Sequence, residues 1–212
     1  DTNDAIQALE REIAPRMSRH YSKIAMNKAL FERVDSLYQK RSEIGLTPEQ
    51  DRVLERIWKS FVKSGAALDQ AGQSRLAEVG ETLAGLGAQF GQNVLADEKN
   101  YLLLLDDGAD LDGLSDDLRA AMAAVAEDLG HAGKYAVTLS RSIIEPFLSS
   151  SARRDLRETA FKAWAARGAN GGDTDNAALI SQIIALRTEK AMLLGYDSYA
   201  AYKLDDTMAK TP

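Results

Sequence analysis

Apolar positions along this chain recur mostly every three or four residues, the period of a helix that buries one face. From Ile6 they run through Leu9, Ile13, Met17, Tyr21 and Ile24, and after a gap through Phe31, Val34 and Leu37. Pro15 falls inside this stretch; it has no N–H to donate and crowds the preceding turn, so it predicts two helices or one bent helix. Thr47-Pro48-Glu49 is a helix start, with Thr as N-cap, Pro at the first helical position and an acid in the first turn. Leu54, Ile57, Trp58, Phe61 and Val62 then form one apolar stripe. A further helix is predicted from Leu76, Val79, Leu83, Leu86 and Phe90, an alternation of three and four suited to packing along a neighbouring helix. Gly80, Gly85 and Gly87 weaken its intrinsic helicity by about 1 kcal/mol each relative to Ala, so packing has to hold it.

The period breaks in the middle of the chain. Residues 101–105 (YLLLL) and 135–139 (YAVTL) are apolar runs of strand length that flank a predicted helix over about 115–129. They are expected to pair as a small ribbon, the second run being richer in β-formers. Helix returns over about 152–167, stops at a loop containing Gly168, Asn170, Gly171 and Gly172, and resumes over about 175–194 with Gly195 as its C-terminal cap. A last short helix holds Tyr199, Tyr202 and Leu204. The expected fold is mainly α, a multi-helix domain with a small two-stranded β element. Its parts are antiparallel helices over 1–100, a strand–helix–strand element over 101–140, and further helices over 141–212. There is no internal repeat and no low-complexity linker.

Composition narrows the function classes. Among 212 residues, 45% are apolar and 27% charged, the balance of a globular protein able to bury a core. The net charge of −6 and the lack of a Lys/Arg cluster argue against nucleic acid as a partner. No apolar run approaches the roughly 20 residues of a membrane span, so no membrane partner is expected. The absence of cysteine excludes disulfides, thiolate nucleophiles and Cys-based zinc sites. Cytoplasm is the default compartment, with the periplasm as the alternative.

No active site assembles from the residues themselves. A catalytic zinc needs three protein ligands, usually including two His one helical turn apart. The sequence offers only His20 and His131, and neither begins a His-Glu-x-x-His pattern. His20 lies near the apolar stripe of its helix and is read as a half-buried, hydrogen-bonded histidine; His131 is read as solvated in a Gly-rich turn. Asp106, Asp107, Asp110, Asp112, Asp116 and Asp117 form an acidic stretch, but an EF-hand loop with Gly113 at its sixth position would put Gly108 and Arg119 where carboxylates are needed. A solvated loop capping the helix from Ser115 is the simpler reading. The 168–172 loop lacks the Lys and hydroxyl of a phosphate-binding loop and is read as a helix-to-helix turn. Ser149, Ser150 and Ser151 have no His beside them to act as base. Trp58 and Trp164 are read as core anchors. No catalytic, cofactor-binding or metal-ligating residue is therefore assigned within the chain.

Several stretches nevertheless resemble one family. Ile13-Ala14-Pro15, Met26-Asn27-Lys28-Ala29-Leu30-Phe31-Glu32-Arg33-Val34, Leu46-Thr47-Pro48-Glu49-Gln50, Phe61-Val62-Lys63-Ser64-Gly65-Ala66 and Phe90-Gly91-Gln92-Asn93-Val94-Leu95 are similar, in that order, to the early part of bacterial dipeptidyl carboxypeptidases and oligopeptidase A. The strongest likeness lies in Ala185-Leu186-Arg187-Thr188-Glu189-Lys190-Ala191-Met192-Leu193-Leu194-Gly195-Tyr196, with Tyr199-Ala200-Ala201-Tyr202 and Met208-Ala209 after it. Arg153-Arg154-Asp155-Leu156-Arg157 and Asp175-Asn176 also fit. The resemblance is to zinc metallopeptidases of the thimet oligopeptidase family, and it implies that this chain is an N-terminal fragment, an incomplete half of a larger channel-shaped enzyme that hydrolyses short peptides. Zinc would be bound in the parent protein, by a His-Glu-x-x-His helix and a further Glu in the missing C-terminal catalytic half, and not by this fragment. The fragment is thus expected to be a channel wall, inactive alone, with an exposed apolar face that favours dimerisation. Trimming of C-terminal dipeptides and internal cleavage both remain open. The rival reading is a complete, non-enzymatic helical interaction module.

Overall fold

The computed structural model describes residues 2–212. Nine α-helices and one two-stranded antiparallel sheet make up the regular structure among these residues. In chain order they are α1 (Asp4–Ala25), α2 (Lys28–Gln39), α3 (Pro48–Lys63), α4 (Gln70–Asn100), β1 (Leu103–Leu105), α5 (Asp116–Asp128), β2 (Tyr135–Val137), α6 (Arg141–Ser150), α7 (Arg154–Ala165), α8 (Ala177–Leu193) and α9 (Tyr199–Leu204). A single 3-10 turn, Gly108–Leu111, lies between β1 and α5. The mainly helical fold with a small β ribbon agrees with the pattern of apolar positions.

Local chemistry sets the helix starts. Asn3, Asn27, Ser115 and Ser198 each accept a backbone N–H from the first turn of the helix that follows. Thr47 does the same for α3, and Gln50 returns the bond to the Thr47 N–H at 3.0 Å, completing a capping box. Pro15 lies inside α1, which runs unbroken from Asp4 to Ala25, so there is one helix rather than two. α8 ends as its Gly195 suggested: Gly195 has φ +79, its N–H reaches the Met192 carbonyl at 3.0 Å, and the Tyr196 N–H reaches that of Ala191 at 2.9 Å.

The chain divides into two compact units, Phe90–Ala178 and the combination of Asp1–Gln89 with Leu179–Pro212. The unit Phe90–Ala178 holds a closed core. β1 and β2 pair with Leu103 opposite Val137 and Leu105 opposite Tyr135. Against this ribbon pack α5 and α6, with α7 on α6. Leu105, Leu118, Met122, Val137, Ile144 and Phe147 are buried in one cluster, joined by Ala160 of α7. α6 has no counterpart in the reading of the sequence, yet Ile143, Ile144 and Phe147 have the spacing of a helical face and are all buried. Its Pro146 is exposed and lies off that face.

The other unit is built differently. Leu76, Val79, Leu179 and Ala191 are buried, but no residue of α1, α2 or α3 is. The apolar row of α1 is real as a row and yet lies open: Ile6, Leu9, Tyr21 and Ile24 are each at least half exposed. Leu37 on α2 and Val53 on α3 are similarly exposed. Trp58 is a partly buried link between helices: its ring stacks on Tyr38 at 4.1 Å, and its Nε1–H donates to Asp35 at 2.8 Å. Trp164 does pack against the core cluster of the Phe90–Ala178 unit.

Candidate functional site

The polar groups singled out in the sequence are engaged structurally. In the acidic stretch, Asp106 pairs with Lys134, and Asp110 pairs with Arg153, which also forks onto Asp155. The Arg153 guanidinium holds the Asp155 carboxyl down to about 2. Asp107 caps the 3-10 turn, and Ser115 caps α5 with its hydroxyl accepting the Leu118 N–H at 3.3 Å. Asp106 and Asp110 thus answer cations, and Asp107 a helix start. Ser149 and Ser150 turn their hydroxyls back onto the carbonyls of Glu145 and Pro146, while Ser151 is buried and accepts the Arg153 N–H. None of the three faces a base.

His131 is exposed in its turn. His20 is exposed as well, in place of the half-buried histidine read from the sequence; its ring meets Tyr21 edge-on at 5.8 Å. The two histidines lie in different units, and no grouping of three or more His, Asp or Glu suited to a metal ion occurs among the described residues. Among the described residues the donors do not converge as a catalytic zinc site, with its three protein ligands, requires.

The loop between α7 and α8 is more than a plain turn. Asp97, near the end of α4, accepts the Gly168 N–H at 2.6 Å, the Asn170 side chain at 2.6 Å and the Thr174 hydroxyl at 2.5 Å. Buried Asn176 joins it to α4 again, accepting from Asn93 at 2.8 Å and donating to the Phe90 carbonyl at 3.2 Å. Gly168 has φ +69, and a Cβ there would lie 2.6 Å from the Asn176 side chain. The arrangement fixes the loop; its polar groups are spent on one another.

A concavity with uncommitted charge occurs in the other unit. α1, α3, α4, α8 and α9 surround an open pocket of about 300 Å³ lined by Ser18, Ser22, Lys63, Gly80, Lys190 and Tyr202 among others. The Lys63 ammonium donates to the Tyr202 carbonyl at 2.6 Å, lies 3.8 Å from Asp205, and sits 4.7 Å from the Tyr202 ring centre. Lys190 approaches the same ring at 5.6 Å. Burial, and then the charge of Lys203, push the Lys190 ammonium below the usual lysine range. Burial raises the Tyr202 phenol, with Tyr199 adding to it. Tyr196, beside this group, is pushed up to about 12 by burial and by Asp205, to which its hydroxyl donates at 3.1 Å. Lys190 lies in a stretch that sequence reading quoted only for its resemblance. What distinguishes it is its place in a pocket shared with Ser18, Lys63 and Gly80, residues far away in the chain.

With both units described, comparison with known proteins places the chain. The chain matches the profile of peptidase family M3 over residues 147–212. It is 35% identical over its whole length to the dipeptidyl carboxypeptidase of Escherichia coli (strain K12), of which it spans 31%. It is 30% identical over 93% of its length to the oligopeptidase A of the same organism, spanning 30% of that protein. The "Probable cytosolic oligopeptidase A" of Arabidopsis thaliana is 29% identical over 99% of the chain, which again spans 30% of it. The chain thus covers about a third of the length of the curated relatives it matches. No helix among the described residues is long and apolar enough to cross a membrane.

Proposed function

We propose that this chain is the helical, N-terminal channel wall of a zinc-dependent metallopeptidase that hydrolyses short oligopeptides, and that it cleaves no peptide by itself. The observation that carries the peptidase reading is the 35% identity to a dipeptidyl carboxypeptidase over all of this chain and 31% of that protein. Zinc would supply Lewis-acid polarisation of the scissile carbonyl and an activated water. Its ligands belong, in this reading, to polypeptide other than these 212 residues, in line with the lack of a grouping suited to the ion among the described residues. Support for a wall comes from the open apolar rows of α1, α2 and α3. Ile6 and Leu9 are 52% and 56% exposed, an arrangement that becomes favourable once further protein covers it. The same rows favour self-association of the isolated chain. The cytoplasm is the compartment taken here, with the periplasm as the alternative; one Arabidopsis relative is named as cytosolic.

The test is a pair of assays on short fluorogenic peptides with added zinc. The purified 212-residue chain should give no chelator-sensitive cleavage, whereas the full product of the gene should give it. Turnover by the 212-residue chain alone would overturn the inactive-wall reading. A full product without peptidase activity would overturn the enzyme itself, leaving the interaction-module alternative. Light scattering at rising concentration checks the association, and a strict monomer counts against it.

A further inference from the structure

The pocket lined by Lys190 and Lys63 carries an inference that goes beyond the peptidase reading and does not depend on it. Four of its features point to a ligand. First, Lys190 makes no ion pair among the described residues; its approach to the Tyr202 ring, at 5.6 Å, is a weak one. Second, the carboxylates nearest in sequence to the pocket residues are already engaged. Glu189 takes both arms of Arg75, Asp205 serves Lys63 and Tyr196, and Asp206 serves Arg52 and Arg56. Third, the Lys190 ammonium has lost part of its hydration while Lys203 adds like charge. An incompletely hydrated cation without a counter-ion is costly to retain, and an anion in contact with it removes the cost. Fourth, space is present at that point: the pocket has about 300 Å³, and Gly80 on its wall leaves the Ser18 hydroxyl uncovered, a Cβ there coming to 3.4 Å of it.

The chemistry of the walls narrows the anion. Of the two lysines that line the pocket, Lys63 is already partly neutralised by Asp205, which leaves the Lys190 charge to be answered there. The charge donors are point-like ammonium groups, which pair with one anionic oxygen at a time. Beside them Tyr21, Met26 and Leu76 supply apolar wall. We propose that this pocket binds the carboxylate of a small ligand with an apolar body, Lys190 pairing with the carboxylate and the apolar wall holding the adjoining side chain. A peptide C-terminus and a free organic acid both present that chemistry.

Isothermal titration of the 212-residue chain with four probes tests this: the dipeptide Ala-Phe, its C-terminal amide, 3-phenylpropionate and inorganic phosphate. The carboxylate reading expects saturable binding of Ala-Phe, of 3-phenylpropionate or of both, with affinity at least about tenfold weaker for the amide. Tighter binding of the dipeptide identifies a peptide terminus, and tighter binding of 3-phenylpropionate a free acid. Lys190→Met should weaken carboxylate binding by at least about tenfold and should raise the melting temperature of the ligand-free chain, because it removes the unanswered charge. Lys190→Arg should restore most of the binding. Saturation by phosphate alone, equal binding of dipeptide and amide, unchanged affinity in Lys190→Met, or no saturation below about 10 mM for any probe overturns the proposal.

Discussion

Asp97 accepts the backbone N–H of Gly168 at 2.6 Å across a sequence separation that spans β1, α5, β2, α6 and α7. The contact pins the end of α7 to the end of α4, and the same carboxylate also takes Asn170 and Thr174. A carboxylate with three donors, in a partly buried place, is worth more than a surface ion pair because its loss leaves donors unpaired. Asp97→Ala should therefore destabilise the Phe90–Ala178 unit by about 2–4 kcal/mol. Hydrogen exchange checks this locally: the Gly168 amide should lose its protection while the amides of β2 keep theirs relative to the lowered global stability. An unchanged Gly168 amide would show that the loop is held by Asn176 alone.

Two glycines of nearly identical conformation should behave differently. Gly113 and Gly130 both have φ +85. A Cβ at Gly130 meets nothing within 4 Å, whereas one at Gly113 would lie 2.3 Å from the Ser150 carbonyl oxygen and 2.9 Å from the Ala152 nitrogen. That second approach is enforced by the hydrogen bond from the Ala152 N–H to the Asp112 carbonyl at 2.7 Å. Gly130→Ala should cost about 1–2 kcal/mol for the left-handed backbone alone. Gly113→Ala adds a backbone collision and should cost about 3 kcal/mol or more, read from urea denaturation midpoints. Equal costs would mean that the turn before α5 can slide away from α6.

The contrast between stripe and surroundings explains what sequence reading could reach. Capping is local, so Thr47, Ser115 and Gly195 announce their helix ends within three residues. The strand runs were legible from their length and their flanking turns. α6 was not, because Pro146 interrupts a short segment whose helical character shows only in the spacing of Ile143, Ile144 and Phe147. The row from Ile6 to Ile24 was read correctly as an apolar helix face. Periodicity cannot say what covers such a face, and here the answer differs between units: covered for α5 and α6, open for α1. Lys190 shows the same limit from the polar side. A lysine on a helix is ordinary until the fold half-buries it beside Tyr202 and Lys203.

Tyr196 gives the chain a stability that depends on alkaline pH. Its phenol is pushed up to about 12 by burial first and by the charge of Asp205 second. The folded value lies above the ordinary value of about 10, so folding favours the protonated phenol. That contribution is fully present below about pH 10 and is lost as pH rises from about 10 to about 12, because the unfolded chain ionises first and the folded one resists. Denaturation midpoints should fall over this window in the wild type. In Tyr196→Phe the fall should be shallower, though still present because burial also raises Tyr202. An identical slope in the two proteins would show that Tyr196 titrates normally.

The two units should also differ in how they respond to loss of apolar side chains. Phe147 is completely buried in the cluster formed by β1, β2, α5, α6 and α7. Phe147→Ala removes both its transfer free energy and its packing partners, leaving a cavity, and should cost about 3–5 kcal/mol. Leu9 is 56% exposed, so Leu9→Ser removes little that folding has gained and should change stability by less than about 0.5 kcal/mol. Its effect belongs to association instead. A polar side chain in the open row of α1 should lower the apparent mass of the chain in concentrated solution, if that row is what draws copies together. Urea denaturation and light scattering on the two variants separate these roles. A large loss of stability in Leu9→Ser would mean that α1 already has its covering within these 212 residues, and would remove the physical basis for treating its apolar row as a face awaiting further protein.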